Sequence, residues 1–163
     1  MAVVDADKRQ WNERQKSLRQ SLAHPQGDGA EALELFLVQH AMLHSAAVSQ
    51  ARLRSFEDEI WQDLSESAFR CIPPREDHSI AWIFWHLTRI EDITMNLLAA
   101  GVPQVVDEDD WLVRMKVSVR DTGNAMNPQE IARLSQQIDM DALRAYRLAV
   151  GCRTRQIVPG LIP

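Results

Sequence analysis

Three histidines are the residues of this sequence whose type and spacing best suit metal or acid–base chemistry. His40 and His44 are four positions apart, so on a helix they lie on one face, one turn from each other. Neutral imidazoles at this spacing can share one metal ion. The segment reads His40-Ala-Met-Leu-His44 and has no glutamate after the first histidine, so the protease pattern H-E-x-x-H is not supported.

His86 is the third candidate, and it lies within the apolar segment HSIAWIFWHLTRIEDI, residues 78–93. A helical projection at about 100° per residue places it at the centre of a stripe that is predicted to be buried. The other members of this stripe are Ser79, Trp82, Ile83, Ile90, Ile93 and Leu97. Two interpretations stay open: a metal site shared by His40, His44 and His86, or hydrogen-bonded core histidines.

Helical periodicity predicts the elements that must position these histidines, and only the segment VRMKVSV (113–119) alternates like a strand. We interpret that segment as a helix or an extended connector. The predicted helices cover residues 6–23, 30–51, 56–64 and about 79–100, and two more begin after Asn127 and Asp139. The fold class is therefore all-α. We expect one domain over residues 1–163, with an N-terminal helix at about 6–23 and a core bundle at about 30–158.

Several smaller motifs also have predicted roles. Asp77 or Ser79 is predicted to cap the helix that carries His86, and Gly101 is predicted to end it. The acids at 57–59 are predicted to be a solvated helix start, since acidic residues there favour the helix dipole. For Asp92 a surface salt bridge is favoured over a role behind a metal ligand.

One short segment and one side chain are weaker candidates for chemistry. The segment DTGN, residues 121–124, is similar to an aspartic-protease triplet, but in a helical chain without a second copy it predicts a turn. Tyr146 is a candidate proton donor only if it lines the same cavity as the histidines.

Composition limits the classes of partner. The chain has 163 residues, 45% hydrophobic and 25% charged, which is typical of a soluble globular protein. The net charge of −5 provides no basic surface for nucleic acid. The sequence contains no apolar run of about 18 residues and no leader-like N-terminus, so no membrane span is expected. Two distant cysteines, Cys71 and Cys152, are compatible with a cytoplasmic protein.

Five segments of the sequence together resemble the DinB-like superfamily of bacterial four-helix bundles. The resemblance covers roughly residues 30–158. Its most specific parts are WHLTRIED and DTGNAM. The match is to a branch of the superfamily that carries the signature HSIAW-x-x-WH-x-x-RIED. The segments are LFLVQHAMLHSAAVS, FEDEIWQDL, HSIAWIFWHLTRIEDITMNLL, DTGNAMNPQEIARLS and LRAYRLAVGCRTRQI.

This resemblance implies an up-and-down four-helix bundle with a metal site in its interior. It implies a metal-dependent hydrolase or a thiol transferase that acts on a small molecule. His86 matches the position of the first ligand in the family, whereas the two final-helix histidines common there have no counterpart before Pro163. The bundle is therefore expected to be incomplete at its C-terminal end. Nickel and zinc both suit imidazole ligands, with His44 and His40 as the further candidates.

A second class of function stays open at this point. The chain can be a non-catalytic helical bundle that dimerises or binds a partner, with its histidines in the core. A bundle that lacks a helix leaves an apolar face uncovered, and such faces are typical of interfaces. A homodimer is therefore expected.

Overall fold

A computed structural model describes residues 2–23, 29–49 and 54–161, and all regular elements within these ranges are helical. None of the helices in these ranges is long and apolar enough to cross a membrane. The contacts divide the chain into two compact units, one of described residues up to 59 with 158–161 and one of residues 60–157. The all-α prediction is confirmed, and the prediction of a single domain stays a prediction.

The first unit is built on two packed helices. Its elements are α1 (Ala2–Ala23), α2 (Gly29–Leu43), α3 (Ala46–Ser49), most of α4 (Phe56–Trp61) and a 3-10 turn (Val158–Leu161). The side-chain amide of Gln39 donates to the carbonyl of Trp11 at 3.0 Å. This hydrogen bond joins α2 to α1, because both residues lie on the faces where the two helices meet.

The helix predicted over residues 30–51 is broken at His44 and Ser45, so that prediction is wrong in its middle. The Ser55 hydroxyl donates to the His44 carbonyl at 2.8 Å, and the Asp58 carboxylate accepts from the Ala46 N–H at 2.9 Å. These side chains satisfy backbone groups that the break releases. Periodicity does not detect such a break, because its partners come from another segment. The predicted helix end, residues 50 and 51, lies outside the described residues.

Within the second unit, the longest regular stretch covers residues 80–100 and contains His86. The elements of this unit are α5 (Glu66–Arg70), α6 (Ile80–Asp92), a π-helix (Ile93–Ala100), a 3-10 turn (Val105–Asp107), α7 (Trp111–Arg114), α8 (Pro128–Gln137) and α9 (Met140–Ile157). Helix α6 packs against α8 and α9. The segment 113–119, predicted as a helix or an extended connector, is divided: residues 113 and 114 end α7, 115 and 116 form a turn, and 117–119 have no regular structure. The fully buried apolar side chains of this unit include Phe69, Trp85, Met115, Ile138, Leu143 and Val150.

Capping residues define the ends of these helices as the sequence predicts. The Ser79 hydroxyl accepts the backbone N–H three residues on, at 3.0 Å, and starts α6. Gly101, with φ of +64°, ends its π-helical continuation in the left-handed conformation. Asn127 and Glu130 form a reciprocal capping box at α8, and the Asp139 carboxylate caps α9 at 3.1 Å. These predictions are confirmed because each depends on residues that are close in sequence.

Candidate metal ligands and the buried network beside them

The buried face of α6 differs from the predicted one. Ile83, Ile90 and Leu97 were predicted for the core but are 42%, 39% and 50% exposed. His86 is half-buried at the edge of the face, so its predicted central position is wrong. The projection gave equal weight to all apolar residues, whereas the helix buries a polar pair that finds partners elsewhere in the unit. The buried side chains are Ala81, Trp82, Phe84, Trp85, Thr88, Arg89 and Asp92.

The imidazole of His86 is oriented by two contacts. Its Nδ1 lies 2.6 Å from the carbonyl oxygen of Thr122, and its ring stacks on Trp82 with centroids 4.4 Å apart. A carbonyl only accepts, so in the neutral ring Nδ1 carries the proton and Nε2 carries the lone pair. No described residue of this unit forms a hydrogen bond with Nε2. His86 therefore presents one nitrogen that can bind a metal ion or accept a proton.

A glycine turn brings the Thr122 carbonyl to His86. The Asp121 carboxylate accepts from the Gly123 N–H at 2.6 Å, and Gly123 has a φ of +79°. A Cβ at Gly123 would lie 2.6 Å from a ring carbon of Trp85. Only glycine fits this position, because both the left-handed backbone and the close approach exclude a side chain. The predicted turn at 121–124 is confirmed, and it supports the His86 site.

His40 and His44 lie side by side in the first unit, as their spacing predicts. Their rings are stacked with centroids 4.2 Å apart, and both side chains are buried. A ring nitrogen of His40 lies within 4.8 Å of a ring nitrogen of His44. Two imidazoles on one tetrahedral ion have nitrogens about 3.4 Å apart, given metal–nitrogen bonds of about 2.1 Å. The spacing of the two rings is therefore compatible with a shared metal ion.

Glu57 is a buried carboxylate that sequence reasoning missed. It was predicted to be solvated with its acidic neighbours, but it is only 3% exposed, and its carboxylate lies 3.9 Å from Nδ1 of His44. The cause is the contact between the start of α4 and the break after α2, where Ser55 holds the His44 carbonyl. A run of three acids does not indicate which member turns inward, so no sequence signal separates Glu57 from the others.

Asp92 is the centre of a buried polar network in the second unit, and the prediction of a surface salt bridge for it is wrong. Its side chain and that of Arg89 are fully buried, with 2.7 Å between the guanidinium and the carboxylate. The Tyr146 hydroxyl donates to the same carboxylate at 2.5 Å. The side-chain amide of Asn96 and the backbone N–H groups of Val105 and Val106 also donate to it.

Arg89 distributes its remaining donors among three other partners. It donates to the Gln104 side-chain oxygen at 2.7 Å, to the Arg120 carbonyl at 2.8 Å and to the Tyr146 oxygen at 2.6 Å. Burial raises the pKa of the Tyr146 phenol well above its usual value, so the hydroxyl stays protonated. The network joins α6, α9 and two connecting segments. Its groups are occupied with one another, which indicates a structural role for Tyr146.

The described residues define an all-α protein. Helix α6 contributes a fully buried ion pair to a polar network, and the edge of the same helix carries the oriented imidazole of His86. A family model of the DinB superfamily matches residues 49–159, well over half of the chain. The chain belongs to the DinB superfamily. The matched range includes His86 and the network but begins after His40 and His44. A search among curated proteins found no match.

Proposed function

We propose that this DinB-superfamily protein binds a divalent metal ion, nickel or zinc, and acts on a small molecule as a hydrolase or thiol transferase. The observation that carries the proposal is the geometry of His86. Metal-binding histidines generally donate one ring N–H to a carbonyl or carboxylate, which sets the tautomer and directs the other nitrogen at the ion. His86 has this arrangement, with Nδ1 at 2.6 Å from the Thr122 carbonyl.

A metal ion bound there would lower the pKa of a coordinated water or thiol, or polarise a substrate carbonyl. The residues of the chain would perform the supporting tasks. The Thr122 carbonyl holds the proton on Nδ1, and Trp82 covers one face of the imidazole and keeps water from it. Gly123 keeps this turn close to the helix.

His40 and His44 are the further ligands of the proposal. Their burial and their mutual distance support metal binding by the pair, and the carboxylate of Glu57 lies next to His44. The sequence-based hypothesis that His40, His44 and His86 share one ion predicts a single bound ion per chain. It is tested by measuring metal content in single variants rather than by geometry.

The test is elemental analysis of the purified protein after dialysis against nickel or zinc. His86→Asn is the informative variant, because the asparagine amide can replace Nδ1–H toward the Thr122 carbonyl while Nε2 is lost. His78→Asn is the matched control, since the His78 ring also contacts Trp82, with centroids 3.9 Å apart and the ring planes tilted by 34°. We expect about one equivalent in the wild type and the control, and a loss of at least about tenfold in affinity for His86→Asn.

The outcomes separate the ligand sets. If His40→Ala and His44→Ala each remove the metal as His86→Asn does, the three histidines share one ion. Loss only in His40→Ala and His44→Ala would restrict the site to that pair and refute the role of His86. A wild-type protein that holds no more metal than His86→Asn, His40→Ala and His44→Ala would refute the metal-dependent function.

One observation favours the second function, a non-catalytic bundle that forms a homodimer. Ile83, Leu87 and Ile90 lie on one face of α6 at helical spacing and are 42%, 47% and 39% exposed. A stripe of this kind suits a helix–helix contact with a second copy. Light scattering at micromolar concentration would show a dimer that Leu87→Ser dissociates, and a monomeric wild type would exclude this function.

Within this proposal the protein acts in the cytoplasm. Cys71 is exposed and Cys152 is half-buried, and both are free thiols. Free, accessible thiols are typical of a reducing compartment. Localisation of a tagged copy of the chain by fractionation would test this placement.

A further inference from the structure

A groove on the second unit has the features of a small-molecule site that is separate from the candidate metal ligands. It is open to solvent and has a volume of about 530 Å³. Its apolar walls are formed by Ile93, Leu97 and Val119. The side chains of Gln104 and Arg89 also line the groove. Ile93 and Leu97 belong to the π-helix, a rare conformation that is frequent at functional sites.

Gln104 is a buried polar side chain in the lining of this groove. It is only 5% exposed, and its oxygen accepts from the Arg89 guanidinium at 2.7 Å. Arginine can only donate, so the amide oxygen must face Arg89 and the amide nitrogen must face away from it. The nitrogen forms no hydrogen bond with any residue in the described part of the chain. A buried side chain therefore offers two N–H donors to a ligand in the groove.

The buried network holds this amide in place. Arg89 is fixed by Asp92, by Tyr146 and by the Arg120 carbonyl, all at 2.6 to 2.8 Å. Because Arg89 cannot turn without losing these bonds, it also fixes the orientation of the Gln104 amide. A donor that is already oriented costs little conformational entropy when a ligand binds.

The charges around the groove favour a neutral ligand over an anion. The positive charge of Arg89 is balanced by Asp92, and Arg120 forms a bidentate pair with Asp107 at 2.6 and 2.7 Å. Asp121 lines the groove as a carboxylate outside these pairs. The remaining charge is therefore negative, which disfavours a carboxylate ligand and suits an N–H group.

We propose that this groove binds small neutral carboxamides whose carbonyl accepts from Gln104 and whose short apolar chain lies on Ile93, Leu97 and Val119. The inference does not rest on metal binding, since it uses none of the three histidines. The class of ligand follows from a fixed donor, an apolar wall and an unbalanced carboxylate. An ester or ketone would satisfy Gln104 alone, whereas a carboxamide also donates to Asp121.

The test is a titration of the purified full chain with hexanamide, followed by amide chemical shifts in nuclear magnetic resonance. We expect saturable shifts of the Gln104 side-chain amide and of residues 93, 97 and 119. Hexanoate is the matched ligand, and it should bind at least about fivefold more weakly because it adds a negative charge. Equal or tighter binding of hexanoate would overturn the proposed ligand class.

Gln104→Glu is the decisive variant, because it keeps an acceptor for Arg89 and removes the two N–H donors. Hexanamide affinity should fall by at least about tenfold. Leu97→Asn should also weaken binding, and the matched control Leu98→Asn should not, since Leu98 is 72% exposed and lies outside the groove lining. Hexanamide that fails to saturate the groove of the wild type, or that binds Gln104→Glu or Leu97→Asn unchanged, would overturn the proposal.

Discussion

Helix α6 carries two polar residues six positions apart, His86 and Asp92, and the structure satisfies them to different degrees. Asp92 accepts from five groups of the second unit and, with Arg89, is fully buried. His86 lies at the edge of the helix face, half-buried, with Nδ1 bonded to Thr122 and Nε2 left over. Buried charges must be fully paired, so they keep nothing for a ligand. His86, at the edge of the face, has its Nε2 available to bind a metal ion or accept a proton.

This comparison separates stability from function within one short motif. Arg89 and Asp92 hold connecting segments against α6, and their loss should act on folding. His86 contributes one hydrogen bond and one ring contact, and its loss should act on binding. Variants of both sites can test this separation.

The largest effect is expected for Asp92→Ala. It leaves the Arg89 guanidinium buried without its carboxylate and removes the acceptor of two backbone N–H groups, Val105 and Val106. Breaking a buried ion pair in this way costs about 3–5 kcal/mol. Urea unfolding followed by tryptophan fluorescence would measure the loss. A change below about 1 kcal/mol would show that the network is not what stabilises this unit.

Gly123→Ala should be the next most severe. A Cβ at Gly123 would meet the Trp85 ring at 2.6 Å, and alanine would have to adopt a φ of +79°. Overpacking and backbone strain together should cost about 2–4 kcal/mol. Gly160→Ala is the control, since a Cβ there meets no atom within 4 Å. If both variants unfold at the same urea concentration as the wild type, the turn does not fix the Thr122 carbonyl.

Alkaline pH should destabilise the protein through Tyr146. Burial raises the pKa of this phenol in the folded state, whereas an unfolded tyrosine ionises near about pH 10. Above that pH the unfolded chain binds fewer protons than the folded one, so stability is complete below about pH 10 and falls as pH rises. The expected slope is about 1.4 kcal/mol per pH unit.

Tyr146 is the only tyrosine in the sequence, so phenolate absorbance reports on it alone. Folded protein should show no phenolate at pH 10.5, and urea-unfolded protein should show it. Tyr146→Phe should lack this part of the pH slope and lose about 1–2 kcal/mol at neutral pH. Phenolate in the folded protein near pH 10 would contradict a closed network.

His86→Asn should have the smallest effect on folding. The amide can keep the hydrogen bond to the Thr122 carbonyl, so the free energy of unfolding should change by less than about 1 kcal/mol. The same variant is expected to lose metal affinity. Urea unfolding of the metal-free proteins would measure the first quantity. A loss as large as that of Asp92→Ala would end the distinction between the two sites.

Sequence reasoning recovered the helical elements and several of their ends. Ser79, Asn127 and Asp139 each act on backbone groups two or three residues away, so a short stretch of sequence contains both partners. The spacing of His40 and His44 likewise predicted their neighbouring rings, because one turn of helix determines it. The glycine turn at 121–124 belongs to the same group.

The predictions that were wrong all depended on distant partners. The helical projection placed Ile83 and Ile90 inside and treated Asp92 as a surface residue, whereas Tyr146 and the segment after Gln104 bury Asp92. Similarly, Glu57 turns inward because Ser55 holds the broken end of α2.

The sequence by itself determined the helical class, the caps, the turn before residue 125 and the choice of His86 as a candidate ligand. The first three follow from local hydrogen bonds and from side-chain spacing on a helix. The choice of His86 followed instead from its match to the first ligand position of the family. Only the tertiary structure decided which face of α6 is buried and that Thr122 sets the tautomer of His86. It also decided that Arg89 bonds to the amide oxygen of Gln104, so that the amide N–H groups can donate to a ligand in the groove. The physical reason is that these outcomes depend on hydrogen bonds between residues far apart in the chain, and a pattern within one element does not contain their partners.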